Sequence, residues 1–84
     1  MSPTVFRYKG YRFFFFSREE SRMHVHVTSS DGEAKFWIEP MVALADYSGY
    51  SAKQLRELTK IVEKHGKEIK EAWEKHFESQ IFRL

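Results

Sequence analysis

The stretch that decides the fold is Phe6-Arg7-Tyr8-Lys9-Gly10-Tyr11-Arg12-Phe13, which is nearly a mirror image of itself about Lys9-Gly10. A two-residue turn there predicts a β-hairpin in which the two tyrosines, the two arginines and the two phenylalanines face each other in pairs. A type I turn with Gly10 in a bulge is the alternative, and it would shift the pairing by one residue. Two facing arginines repel each other, so the first register predicts an anion from a phosphate-bearing or acidic partner between Arg7 and Arg12.

Both faces of this hairpin carry aromatic side chains. In the first register, one face holds Phe6, Tyr8, Tyr11, Phe13 and Phe15, and the other holds Val5, Arg7, Arg12, Phe14 and Phe16. A single-layer sheet would leave one set in water. We therefore expect either helices that cover both faces in part or a partner on one face.

Two further strands follow the hairpin. Met23 to Thr28 alternates with a period of two, Ser29 to Gly32 is a turn cluster, and Ala34 to Glu39 returns as a strand that ends before Pro40. Residues 41–45 form either a short strand or an irregular turn. The sequence thus predicts an antiparallel sheet of about four strands over residues 4–40.

The remainder of the chain has a helical pattern. Ser51 is a good N-cap, and Gln54 completes the amide version of the capping box. Apolar or ring positions then recur every three or four residues, at Leu55, Leu58, Val62, His65, Ile69, Ala72 and His76. One helix over residues 51–78 would be about 42 Å long, whereas a globule of this size has a radius of gyration of about 12 Å. We expect one broken helix or two helices, divided near His65-Gly66 and packed on one face of the sheet in a single α+β domain over residues 1–84.

Composition excludes several classes of protein. The 84 residues contain no cysteine, so there is no disulfide framework, thiolate metal site or cysteine nucleophile. Apolar runs such as Phe13 to Phe16 are too short to span a bilayer. We expect a cytoplasmic protein without membrane association. The net charge is only +2, but residues 1–30 are locally basic, with five Lys or Arg against two acids.

Several segments, in this order, resemble a small bacterial family. They are Pro3-Thr4-Val5-Phe6, Gly10 to Ser17, His24-Val25-His26-Val27, Ala34 to Pro40, Gly49-Tyr50-Ser51, Ala72-Trp73 and His76-Phe77. On these segments the chain is similar to the domain of unknown function 4160 family. The resemblance implies no catalytic residues. Because genes of this family often lie beside another small gene, it implies a toxin–antitoxin component with the neighbouring gene's product as partner. The loop at residues 18–22 is shorter here and lacks the prolines common in relatives.

Two histidines alternate on the predicted third strand. His24 and His26 share one side of it, about 6.7 Å apart, which suits two imidazoles that meet one anion or one metal. A metal would need a third ligand, and the histidines and carboxylates that could approach are His65, His76, Asp31 and Glu33. As catalytic residues, His24 and His26 are candidates for the acid and base of a ribonuclease. The simplest alternative is that both face water.

Cations and aromatic rings alternate in the strand-rich half. Lys35 and Trp37 share one strand side, an arrangement typical of surfaces that bind single-stranded nucleic acid, although Trp is more often a core residue. The candidate nucleic-acid contacts are Arg7, Lys9, Arg12, Arg18, Lys35 and Trp37. The family resemblance implies a toxin–antitoxin component that acts through a partner protein, and the basic aromatic hairpin leads us to expect that it contacts RNA. The alternatives are a non-catalytic nucleic-acid or protein binding module, including a homodimer, and a His-dependent ribonuclease or metal-binding domain. Whether the chain is an enzyme stays open, and no cofactor or metal is expected.

Overall fold

An antiparallel meander of five strands precedes two helices. The computed structural model describes residues 4–16 and 22–81, with side chains as far as Phe77. The elements are β1 (Thr4–Tyr8), β2 (Tyr11–Phe14), β3 (His24–Ser29), β4 (Gly32–Trp37), β5 (Ala43–Ser48), α1 (Ala52–Lys64) and α2 (Gly66–Ile81). The strands lie side by side in chain order, each antiparallel to the next.

The β1–β2 hairpin has the mirror-image register. Arg7 pairs with Arg12, and the turn residues Lys9 and Gly10 both have positive φ, 49° and 82°. Two successive positive φ values define the type I′ turn, which matches the twist of the flanking strands. A register shift between Thr4 and Phe6 inserts one extra residue into β1. This bulge brings Val5 against the core beside Phe6, so its expected place on the arginine side was wrong.

The sheet has one strand more than the predicted four. Residues 43–48 pair with β4 along the sheet edge, and five of the six are exposed. An edge strand with little burial needs no alternation of apolar and polar residues, so its sequence carries no strand signal. β4 itself begins at Gly32, where the backbone of Ser48 passes so close that a β-carbon would lie 2.1 Å from its carbonyl oxygen.

The helical half confirms the predicted cap and break. The Ser51 hydroxyl accepts the Gln54 amide N–H at 3.1 Å, and the Gln54 side-chain oxygen accepts the Ser51 amide at 2.8 Å. α1 ends at Lys64, and His65 leaves helical geometry with φ −99° and ψ 14°. Within residues 4–16 and 22–81, no helix is long and apolar enough to cross a membrane.

Both helices pack on the same side of the sheet, here called the inner face. Its strand residues include Phe13, Val27 and Phe36, and the helices contribute Leu58, Val62, Ile69 and Trp73 to the same cluster. All except Trp73 are almost fully buried. Because side chains alternate along a strand, the residues between these inner positions form a second surface, the outer face.

Candidate nucleic-acid interface

The strand register arranges the outer-face residues in three rows that cross the sheet. The first row is Arg7, Arg12, Thr28, Glu33 and Ser48; the second is Thr4, Phe14, His26, Lys35 and Asp46; the third is His24, Trp37 and Ala43. Residues directly opposite in antiparallel strands point to the same side, with β-carbons about 4.5–5.5 Å apart. Candidate residues scattered over the strand-rich half of the chain are therefore neighbours in space.

Arg12 is turned away from its cross-strand partner Arg7. Its Nε donates to the Thr4 hydroxyl at 2.7 Å, and its guanidinium carbon lies 4.5 Å from the centre of the Phe14 ring. Thr4 and Phe14 belong to the next row, away from the hairpin turn. This orientation separates the two guanidinium charges and reduces the repulsion expected of the facing pair.

Trp37 forms the aromatic centre of the third row. The Arg22 guanidinium carbon lies 4.1 Å and the Lys35 ammonium 4.5 Å from its ring centre. Both distances are within cation–π range. The Lys35 and Trp37 pairing expected from sequence is thus present, and Arg22, which was not among the expected contacts, joins it.

The two histidines occupy different environments. His24 is fully buried, and its Nδ1 lies 2.7 Å from the carbonyl oxygen of Arg22, so Nδ1 carries the proton and donates. Trp73 of α2 meets the His24 ring edge-on at 5.1 Å. The alternative that both histidines face water is wrong for His24, because the rings of Trp37 and Trp73 pack against it.

His26 remains accessible in part. It is half-buried and stacks against Phe14 with ring centres 5.4 Å apart, while Phe16 lies 4.3 Å away. Its ring centre is 5.0 Å from that of His24. Among the residues described, no group of three or more His, Cys, Asp or Glu side chains could hold a metal ion.

The predicted nucleic-acid contacts separate into three sets. Arg7, Arg12, Lys35 and Trp37 share the outer face. Lys9 does not share this face. Tyr8 pairs with the buried Tyr11 and is therefore on the inner side, and the Lys9 ammonium lies 5.5 Å from the centre of the Tyr8 ring. Arg18 lies outside the described residues.

A cavity of about 220 Å³ opens at the β5 end of the second row. Its wall includes Phe14, Phe16, His26, Lys35, Asp46 and Tyr47. The Tyr47 amide donates to Asp46 Oδ1 at 2.9 Å, which fixes the orientation of the carboxylate. Sequence reasoning missed Asp46 because it reaches the row only through β5, and the short strand considered as an alternative for residues 41–45 ended before it.

A hydrogen-bonded anchor holds the β3–β4 turn against the start of α1. The Tyr50 hydroxyl donates to the Gly32 carbonyl at 2.9 Å and accepts from the Ser29 hydroxyl at 2.8 Å. Burial raises the pKa of Tyr50 above its ordinary value, and the Ser29 hydrogen bond opposes this rise. Burial, followed by the nearby charges of Glu57 and Asp31, also raises the pKa of Tyr11, whose ring meets Tyr50 edge-on at 5.9 Å.

The profile of a family described as domain of unknown function (DUF4160) matches residues 10–74. The chain belongs to this family. The matched range contains β2 to β5, α1 and the start of α2, and therefore every outer-face residue of the three rows except Thr4 and Arg7. No curated protein and no solved structure matches the chain.

Proposed function

We propose that this chain is the RNA-contacting component of a toxin–antitoxin pair, and that the outer face is its surface for single-stranded RNA. The observation that carries the proposal is the placement of Arg12, Arg22 and Lys35 directly on the rings of Phe14 and Trp37. Cations and aromatic rings thus alternate over three rows of one sheet face. The sequence-based expectation named Lys35 and Trp37 of β4 beside the hairpin residues, and the proposal adds Arg22 to them.

Surfaces of this composition suit unpaired nucleotides. Bases of single strands stack on aromatic rings or on the guanidinium planes of arginine, while basic side chains attract the phosphates. Each stacked base is worth about 1–3 kcal/mol. The exposed Arg22, whose guanidinium carbon lies 4.1 Å from the Trp37 ring centre, offers such a guanidinium, and Phe16 is 46% exposed.

The histidine geometry favours binding over cleavage. A general acid or base must come within hydrogen-bond reach of the proton that it transfers. His24 is sealed beneath Trp37 and Trp73, and His26 is flanked by two phenylalanine rings. These surroundings fit a structural role for His24 and a stacking role for His26.

The partner protein is the product of the neighbouring gene, as the family resemblance implies. The absence of cysteine fits action in a reducing cytoplasm. Expression of the chain with and without its neighbour tests this part of the proposal. We expect one of the two genes to arrest growth when it is expressed alone and the other to relieve that arrest. We also expect the two proteins to co-purify. No growth effect and no physical association would refute it.

The RNA-binding surface is tested by salt dependence. Fluorescence anisotropy with a labelled single-stranded oligouridylate compares the wild type with Arg7→Ala/Arg12→Ala. Losing two phosphate contacts should weaken binding and lower the slope of log K against log salt by about 1.4, since each contact on a single strand contributes about 0.7. The control Lys53→Ala/Lys64→Ala removes the same charge from α1, whose two lysines are exposed. Equal effects of the two double variants would show that binding follows net charge and not the outer face.

A further inference from the structure

We infer that the 220 Å³ cavity at the β5 end of the second row selects guanine, and that Asp46 is the residue that reads this base. The inference rests on the proposed function, because it concerns the same outer face. It adds a base preference to a surface that would otherwise bind any single strand through stacking and charge.

The size and walls of the cavity suit one flat ring system. Pockets for drug-sized ligands enclose roughly 300–1,000 Å³, so a volume of about 220 Å³ fits a smaller fragment such as a single base. Aromatic residues Phe14 and Phe16 of the outer face lie in its wall, and Phe16 is 46% exposed. A base that enters from the second row therefore remains in contact with the stacking surface.

Charge across the outer face orients the strand. Arg7 and Arg12 lie on β1 and β2, while the acids Glu33 and Asp46 lie on β4 and β5 at the other end of their rows. Carboxylates repel phosphates, so the RNA backbone is drawn to the arginine side of the rows. Its base then extends across the sheet, with its polar edge towards Asp46.

The chemistry of a carboxylate discriminates among the four bases. An ionised carboxylate only accepts hydrogen bonds, at two oxygens with about four lone-pair sites. Guanine presents two neighbouring donors on its Watson–Crick edge, N1–H and the N2 amino group, which one carboxylate can accept together. Adenine and cytosine place an acceptor nitrogen beside their amino group, and uracil places carbonyl oxygens on both sides of its single N–H.

The position of Asp46 favours this paired contact. Asp46 faces Lys35 across the β4–β5 ladder, and its Oδ1 is held by the Tyr47 amide. Because the carboxylate is already oriented, less freedom is lost when the base binds. The Lys35 ammonium lies 4.5 Å from the ring centre of Trp37, in the third row.

The test uses eight-nucleotide uridine strands that carry guanosine, inosine or adenosine at one central position. Anisotropy titrations at one salt concentration should give a dissociation constant at least about fivefold lower for guanosine than for adenosine, which corresponds to the low end of the 1–3 kcal/mol of a good paired contact. Inosine lacks the N2 amino group and should fall between them. Asp46→Asn should bring the guanosine strand to the affinity of the adenosine strand, whereas Glu71→Gln, the equivalent carboxylate-to-amide change at an exposed position on α2, should preserve the preference.

Each outcome separates this inference from the proposed function. Binding of every strand with equal affinity by the wild type would overturn guanine selection and leave RNA binding standing. A preference that survives Asp46→Asn would overturn the role of Asp46. No binding of any strand would overturn both. The thermal midpoint of Asp46→Asn, compared with that of Glu71→Gln, shows whether a loss of RNA binding arises from unfolding.

Discussion

The two faces of the same three strands show how alternate residues acquire opposite roles. On the inner face, Phe13, Val27 and Phe36 are sealed under helices α1 and α2. On the outer face, the adjacent residue Phe14 contacts His26 and the Arg12 guanidinium instead, and Lys35 lies over the ring of Trp37. A shift of one position along a strand therefore separates an apolar packing position from a candidate binding position.

The comparison also shows that burial alone does not distinguish the faces. Phe14 is only 8% exposed. Its described ring contacts are nevertheless Arg12, Phe16 and His26, none of which belongs to a helix. Its neighbour Phe16 is 46% exposed. An aromatic residue covered by a flexible cation can be uncovered when a ligand binds, whereas one covered by a helix cannot without unfolding.

The largest expected effect comes from the same Phe→Ala substitution made once on each face. Phe36→Ala should lower the free energy of unfolding by about 3–5 kcal/mol, because it leaves a cavity under the helices. Phe16→Ala should cost far less stability but should weaken RNA binding. Urea denaturation and anisotropy measure the two quantities, and Phe36→Leu provides a milder variant if Phe36→Ala does not fold. Equal losses of stability in Phe16→Ala and Phe36→Ala would mean that the outer aromatic residues also belong to the hydrophobic core.

The second prediction concerns His24, which breaks the pattern because it lies on the outer side yet is fully buried. His24→Ala should destabilise the protein by about 2 kcal/mol or more, since it removes a buried ring and leaves the Arg22 carbonyl without its donor. His26→Ala should cost less stability and more RNA affinity. A stable His24→Ala variant without RNA binding would instead indicate a direct role for His24 in the site.

The third prediction concerns the pH dependence of stability that follows from the raised pKa of Tyr50, on the inner side of the sheet. A tyrosine whose pKa is higher in the folded state contributes stability below the unfolded pKa of about 10 and loses it as the pH rises further. Tyr50→Phe should cost about 1 kcal/mol at pH 7 through its lost hydrogen bonds, and its stability should fall less steeply above pH 10. Urea unfolding at several values between pH 8 and 11 measures both effects. A fall as steep as in the wild type would assign the alkaline sensitivity to Tyr11 and other groups.

The smallest effect concerns the facing arginines of the first row. Arg7→Thr should raise the free energy of unfolding by up to about 0.5 kcal/mol, because a cross-strand repulsion disappears. Arg7→Lys keeps the charge and should show no gain. The gain should vanish in 1 M salt, where the Debye length is about 3 Å. A loss of stability in both variants would show that Arg7 contributes favourable contacts that outweigh repulsion.

The sequence predicted the candidate site in part. Arg7, Arg12, Lys35 and Trp37 were named and share one face, while Lys9 turned to the inner side because its backbone sits in the type I′ turn. Phe14 was placed beside Arg12 by the hairpin register. Arg22 and Asp46 were missed. The contact of Arg22 with Trp37 joins residues far apart in the chain, and the position of Asp46 depends on the pairing of an edge strand.

The sequence by itself determined the features that depend on near neighbours along the chain. Alternation placed Val25 and Val27 inward, and the pair Ser51 and Gln54 started the first helix. The mirror-image residues around Lys9-Gly10 predicted the hairpin but left two registers open, and the structure has the one with two positive φ values. Only the tertiary structure decided the rest. Trp73 seals His24, and β5 brings Asp46 beside Lys35. Such contacts join segments far apart in the chain, and they form because helices and strands bury shared apolar surface, which no local pattern specifies.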